Sequence, residues 1–350
     1  MPFFLYFCQG CKGTKFVHYK LILMKHIDID HIKNEILSGE ESRIYRALAQ
    51  GRAVGFDADK YLDDLLEICN FMETKRKKLY SLPMFKAEIS GHGLDLNGLN
   101  LEQLPSCFGA LNEMTETVDL SNNQFSEFPK IILEFKKLKR LNLSGNQLIN
   151  LPETFAAFHS LTALDLSSNH FVQLPKVLEK LDKLKVLTIN CRHDLFFEAC
   201  DFKKLEKLHI LLGKNVKFPE AIFDFTSLKI LHLEGISALP ASMHKLHYLE
   251  ELIIENSGIE NLADALLKLP NLKKLRLCKL VLMNELPELI YDLNSLEEID
   301  LSDTPLKELP ARLRHLKNLK RIQLKGCSNE KTLELWKKRC ESWGISCCIN

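Results

Sequence analysis

The chain has 350 residues, 46% hydrophobic and 27% charged, which is enough apolar material for a large core and excludes a disordered or fibrous chain. Its 47 Lys and Arg stand against 46 Asp and Glu, a formal net charge of +1, so no global field draws in nucleic acid or an anionic membrane and any partner must be chosen locally. No apolar run approaches the roughly 18–20 residues needed to cross a bilayer, and among the 11 cysteines Cys69 and Cys107 fall on core-like positions, which suits a reducing, cytoplasmic setting better than a disulfide framework.

Residues 1–23 follow no element pattern. The opening Met1-Pro-Phe-Phe-Leu-Tyr-Phe-Cys8 lacks a basic start and its apolar stretch is short for a signal peptide, so no secretion signal is expected. Met24-Lys25 is the more natural beginning, and 1–23 reads as a disordered or non-native extension. Within it, Cys8-Gln-Gly-Cys11 is a lone CxxC, at most half of a zinc site, and Gly10-x-x-Gly13 is not a phosphate loop.

Residues 24–90 show helix grammar and predict a helical N-terminal cap. Ser38 and Glu41 have capping-box spacing, Gly51 reads as a helix stop, and Asp57 or Asp59 opens the amphipathic run Tyr61-Leu-Asp-Asp-Leu65-Leu66-Glu-Ile68. The basic Lys75-Arg-Lys-Lys78 reads as a solvated helix end.

From 91 to 326 the chain repeats itself. Leu141-Asn-Leu143-Ser-Gly-Asn146-Gln-Leu148-Ile-Asn-Leu151-Pro152 superposes on Leu164-Asp-Leu166-Ser-Ser-Asn169-His-Phe171-Val-Gln-Leu174-Pro175, 23 positions on, and Val118 to Pro129 fits the same frame. The first inward position recurs at Leu94, Val118, Leu141, Leu164, Leu187, Leu208, Leu231, Leu252, Leu275, Ile299 and Ile322, which makes about eleven repeats. This pattern resembles the leucine-rich-repeat family, in the intracellular class with repeats of about 23 residues ending in Leu-Pro. The stretch Ile32-Lys-Asn-Glu-Ile-Leu-Ser-Gly-Glu40 looks like the short helical header of bacterial members, so the resemblance implies a bacterial source.

The resemblance implies an α/β solenoid: a curved parallel sheet on the concave face, short helices or turns on the convex face. Leu-x-Leu points inward from each strand while the residues between and beside face outward. It also implies that Asn123, Asn146 and Asn169 bond the backbone of neighbouring turns. Leu99, Arg192, Gly213, Ile236, Ser257, Leu280, Thr304 and Cys327 replace that asparagine elsewhere, Thr304 and Cys327 tolerably, so the ladder is regular early and irregular from the fifth repeat, where Cys191 to Phe197 replaces the turn. Residues 327–350 read as a C-terminal cap, with a closing helix at Lys331-Thr-Leu333-Glu-Leu-Trp336-Lys-Lys338.

Strand alternation maps the exposed face. Its early part is acidic, through Asp95, Asp119 and Asp165. The middle carries Val186, Leu211, Ile230 and Ile253, expected to form one contiguous apolar patch edged by Lys207, His209, His232, Glu251 and Arg276. Singly exposed aliphatics are also ordinary surface, and that reading stays open. His209 and His232 sit side by side with Asp165 two repeats away, but two imidazoles without a third ligand do not make a metal site, and a pH-sensitive contact is the better use. Leu133, Phe223, Leu267 and Tyr291 on the other side read as packing between repeats.

No nucleophile with its base, phosphate loop or ligand cluster lies at usable spacing, so neither an enzyme nor a cofactor is expected. The expected role is a monomeric module or scaffold that binds a protein through its concave face, in the cytoplasm and in intracellular signalling, with no nucleic acid, membrane or metal partner. A secreted bacterial effector binding a host protein and a purely structural solenoid remain as alternatives.

Overall fold

The computed structural model describes residues 29–77, 81–91, 93–191, 202, 204–212, 220–259, 262, 266 and 269–349. The extension 1–23 with its CxxC, the turn replacement up to Phe197, Arg192, Gly213, Leu267 and Lys78 lie outside them. Two units divide the chain: Met1–Asp95 with Leu104–Thr115, and Leu96–Gln103 with Glu116–Asn350.

The first unit holds α1 (Ile29–Leu37), α2 (Glu41–Val54), α3 (Ala58–Arg76), α4 (Leu82–Gly91) and a short strand, β1 (Leu94–Asp95). The α3 helix starts at Asp57, whose carboxylate accepts from Lys60 N at 3.0 Å. It buries Tyr61, Leu65, Ile68, Cys69 and Met72 at helical spacing. Asp59 pairs instead with Arg52 at 2.6 Å. Burial pushes the Cys69 thiol up to about 11 and Cys107 up to about 12, so both are inert core thiols.

Two expectations fail here. Ser38 and Glu41 form no capping box: Ser38 Oγ donates to Glu35 O at 2.7 Å and accepts from Glu40 N, which closes α1, while Glu40 precedes α2 without a side-chain cap. Gly51 does not stop a helix but lies inside α2, which ends at Gly55 with φ 76°. A Cβ at Gly51 would stand 2.5 Å from Ala58 Cβ, so the glycine serves the close approach of α2 and α3.

The second unit is an α/β leucine-rich-repeat solenoid. Its strands are β2 (Thr117–Asp119), β3 (Arg140–Asn142), β4 (Ala163–Asp165), β5 (Val186–Cys191), β6 (Lys207–Leu212), β7 (Ile230–Glu234), β8 (Glu251–Glu255), β9 (Lys274–Cys278), β10 (Glu298–Asp300), β11 (Arg321–Gln323) and β12 (Ser346–Cys348). They pair in parallel and in chain order. The inward pairs, such as Leu208 with Ile210 and Leu231 with Leu233, are fully buried. The return path runs through 3-10 turns that open after Pro129, Pro152, Pro175, Pro240, Pro287 and Pro310, where the fixed proline φ suits the turn and its missing N–H costs no ladder bond. Phe128, Phe155 and Phe158 meet edge-on beneath the early strands, with Phe155 and Phe158 centroids 4.9 Å apart. Phe223 and Tyr291 are buried as inter-repeat packing requires; Leu133 is half-buried.

The asparagine ladder forms as expected. Asn146 Nδ2 donates to Leu120 O at 2.9 Å and Leu143 O at 3.0 Å, and its Oδ1 accepts from Phe125 N at 3.1 Å; Asn123 and Asn169 repeat the arrangement. Thr304 keeps part of it, accepting from Leu280 N at 3.3 Å and donating to Leu277 O at 2.7 Å. Cys327 Sγ donates to Leu301 O, and Ser257 also substitutes, through Ile236 N.

At the C-terminal end α5 (Glu330–Ser342) is capped by Asn329, whose Oδ1 accepts from Thr332 N at 3.0 Å, and buries Leu333, Trp336 and Cys340. The expected closing helix is there. The strand after it, β12, extends the sheet beyond β11 without any Leu-x-Leu signature.

Candidate protein-binding face

The sheet broadens in its middle, at β5–β9. β2, β3, β4, β10 and β11 span 3 residues each, whereas β5 and β6 span 6 and β7, β8 and β9 span 5. In β5–β9 backbone pairing continues past the inward pair to Asn190↔Leu211↔Glu234↔Glu255↔Cys278, whereas β10 and β11, which also lack the asparagine, stay short. The middle strands therefore present three outward residues where the early ones present two.

Register places the predicted face residues as strand alternation demands. Val186, Lys207, Ile230, Glu251 and Lys274 form one outward row. Thr188, His209, His232, Ile253 and Arg276 form the next. Leu211 lies in the third. Apart from the exposed Arg276, the candidate patch residues are half-buried.

The contiguous apolar patch is not what results. No two of Val186, Leu211, Ile230 and Ile253 are register partners: Lys207 separates Val186 from Ile230, Ile253 stands between His232 and Arg276, and Leu211 between Asn190 and Glu234. Only Ile230 and Ile253 sit diagonally on adjacent strands. The periodicity that ranks residues along a strand says nothing about which one its neighbour sets opposite. The face is a mosaic of aliphatic, imidazole and paired charged groups. Arg276 meets Glu251 at 3.0 Å, Glu298 meets both Lys274 and Arg321, and Lys279 meets Glu255 at 2.7 Å. The last contact holds the Glu255 carboxyl below the usual glutamate range.

His209 and His232 stack face to face, centroids 3.8 Å apart and planes 2° apart. His209 Nε2 lies 3.0 Å from Glu234 Oε1. Burial, helped by His209, pushes His232 down to about 4, so its ring is neutral at physiological pH.

The early aspartates are occupied. Asp119 Oδ1 accepts from Ser121 N and Oγ at 2.8 and 2.5 Å, and Asp165 Oδ1 from Ser167 N and Oγ at 2.9 and 2.7 Å. Each pair closes the strand end in an Asx-type turn, which Asn142 with Ser144 and Asp300 with Ser302 repeat. An acidic face is thus partly turn chemistry. Asp95 belongs to the first unit and is exposed.

Sequence reasoning passed over Ile149 and Val172, which are 66% and 69% exposed at equivalent places in successive repeats. Their signal was visible: each comes directly after the residue that closes the core beyond the asparagine, where a polar residue is the cheaper choice. Among the described residues no helix is long and apolar enough to cross a membrane.

A family model described as leucine rich repeat matches residues 113–171. No curated protein matches significantly. Among solved structures, the chain is similar to the functional domain of InlJ from Listeria monocytogenes, at 17% identity and a TM-score of 0.43 over 65% of this chain and 47% of that one. A leucine-rich-repeat protein of Leptospira interrogans aligns at 20% identity and a TM-score of 0.32 over 75% of this chain and 97% of that one. TLR13, in its complex with ssRNA13, aligns at 21% identity and a TM-score of 0.49 over 66% of this chain and 35% of that one. The chain thus spans about half the length of that InlJ domain and a third of that TLR13 chain. Recurring Leu-x-Leu strands, an asparagine ladder and a parallel sheet in chain order give the repeat region a leucine-rich-repeat solenoid fold, and residues 113–171 within it match the family model.

Proposed function

We propose that this chain is a protein-interaction scaffold that holds a partner protein on the outward face of β5–β9, with Val186, Lys207, His209, Leu211, Ile230, His232, Glu251, Ile253 and Arg276 in the contact. The observation that carries the reading is the broadening of the sheet at those strands, where the scattered outward aliphatics Val186, Leu211, Ile230 and Ile253 also lie. A partner seated there meets Ile230 and Ile253 as apolar anchors and breaks or shares the Arg276–Glu251 and Lys279–Glu255 pairs, a mixture that rewards a complementary charged surface. A cytoplasmic adaptor in signalling fits the reduced cysteines, since Cys69, Cys107, Cys327 and Cys340 are buried free thiols. The leucine-rich-repeat solenoid is an interaction module in general, and binding rather than catalysis is the role proposed.

The test is capture of partners by the full chain and by an Ile230→Asp, Ile253→Lys double variant, with folding checked by circular dichroism. Both side chains are half-buried, so the variant should fold. Partners captured by the parent chain should be lost from the double variant and kept by Ile149→Asp, which lies off β5–β9. Equal capture by all three would refute this face.

A further inference from the structure

The stacked histidines have neighbours that the sequence alone did not bring to them. On β7, two residues beyond His232, Glu234 turns Oε1 to within 3.0 Å of His209 Nε2 and 3.6 Å of His232 Nε2. On β8, Glu255 Oε2 lies 3.5 Å from His232 Nε2. Ligand atoms of His209, His232 and Glu234 all fall within 4.8 Å of one another. The third ligand sought in Asp165, two strands away, comes from the row beside the histidines.

His232 Nε2 is shielded from solvent and has no hydrogen-bond partner. A buried ring nitrogen is normally satisfied, and this one is aimed at two carboxylates. Because the ring is neutral, its nitrogen can offer a lone pair rather than a repelling proton. Glu255 is also supported from behind: Lys279 Nζ binds its Oε1 at 2.7 Å and leaves Oε2 toward the histidine, the arrangement by which an outer group orients a ligand.

The spacing suits a small, four-coordinate ion. With imidazole and carboxylate bonds of about 2.0–2.2 Å, tetrahedral geometry separates ligand atoms by about 3.3–3.6 Å; Glu234 Oε1 lies 3.0 and 3.6 Å from the two histidine nitrogens, while Glu255, 3.5 Å from His232 Nε2 but outside the three-residue cluster, joins the shell by a side-chain shift. Two imidazoles with two carboxylates favour zinc-class ions over magnesium or calcium, which prefer all-oxygen shells. Parallel rings send their in-plane lone pairs side by side, so a shared ion requires the rings to splay, which the soft histidine χ2 permits while the strands hold the Cβ atoms.

We propose that His209, His232, Glu234 and Glu255 form a binding site for a divalent transition-metal ion of the zinc class on the outward face of β6–β8. It goes beyond the partner reading and does not depend on it. The ion would tie three adjacent strands together in the middle of the proposed contact face.

The experiment uses the full chain, stripped with a chelator and titrated with Zn2+ by calorimetry and with Co2+ by visible absorption. One equivalent should bind, and Co2+ should show the strong visible bands of four-coordination without thiolate charge transfer. Glu234→Gln, which is isosteric and keeps the fold, should weaken binding at least tenfold. His209→Ala with His232→Ala should abolish it, and the exposed His159→Gln should leave it unchanged. A melting temperature that rises on adding Zn2+ for the parent chain but not for Glu234→Gln gives a second readout. The proposal is overturned if the parent binds no ion, if Glu234→Gln and the double histidine variant bind as well as the parent, or if the Co2+ spectrum shows thiolate ligands.

Discussion

Asn146 joins two turns: its Nδ2 donates to the buried Leu120 O and Leu143 O and to the half-buried Ser144 O, and its Oδ1 accepts from Phe125 N. Asn146→Ala leaves Phe125 N, Leu120 O and Leu143 O without that partner, so urea unfolding should show a loss of about 2–4 kcal/mol at unchanged m-value. Thr304→Val, which removes two weaker bonds, should cost about 1–2 kcal/mol. Two glycines with nearly the same φ separate strain from crowding. Gly55 has φ 76° and open space around a would-be Cβ, so Gly55→Ala should cost about 1 kcal/mol; Gly235 has φ 75° and would set a Cβ 2.3 Å from Leu212 O, so Gly235→Ala should cost clearly more. Equal losses would mean that backbone conformation alone decides. The asparagines are legible in the sequence because the resemblance to leucine-rich repeats assigns that position its role. Gly51 is not, because a glycine late in a helical pattern marks either an end or a close crossing, and only the position of Ala58 decides which. Nor can Glu234 be seen beside His209, since that contact depends on register between strands and on rotamer.

Strand length is the feature of the elements that periodicity does not disclose. The Leu-x-Leu repeat locates β2 to β11 through the inward pair, yet the extension of β5 to β9 lies in the residues after that pair, where the sequence shows only irregularity. β12 escapes because Ser346-Cys-Cys348 carries no inward leucines; backbone bonds join it to the sheet, Leu324 N to Cys348 O at 2.8 Å and Ser346 N to Lys320 O at 2.9 Å. The closing helix is legible from its apolar stripe, Leu333, Trp336 and Cys340. In a stack where each repeat touches only its neighbours, damage to this cap should spread from the end inward. Trp336→Ala should cost about 3–5 kcal/mol, and hydrogen exchange should quicken first in β11 and β12. Uniform quickening from β2 to β12 would show that the cap is not a local lock.

Across the whole sheet, a ladder of ion pairs runs beside the strand starts: Glu116 with Lys139 at 2.8 Å, Lys185 with Glu206 at 2.9 Å, Glu250 with Lys273 at 3.0 Å and Glu297 with Lys320 at 2.7 Å. Each pair is exposed and worth little by itself, but alternating charge disfavours slipped pairing of near-identical repeats. Hydrogen bonds from the partner lysines hold the Glu116, Glu206 and Glu297 carboxyls below the usual range. A carboxyl depressed in the folded state adds stability above its unfolded value, near 4.3, that is lost as pH falls through the folded one. The melting temperature should therefore fall between about pH 5 and pH 3, and the fall should be smaller in high salt, which screens the ladder beforehand. A salt-independent profile would show that the ladder contributes nothing to this pH dependence. Fold is legible at this scale because a repeat declares itself many times over; the binding face is legible only as a location, because exposed positions are free of the repeat's constraints.

Whether partners are held on the outward face of β5–β9 is tested most directly by affinity capture with mass spectrometry from native cells. The parent chain is compared with the Ile230→Asp, Ile253→Lys variant and the Ile149→Asp control. The expected result is at least one protein captured by the parent and the control and missing from the double variant; the same proteins captured by all three would contradict this placement of the binding face.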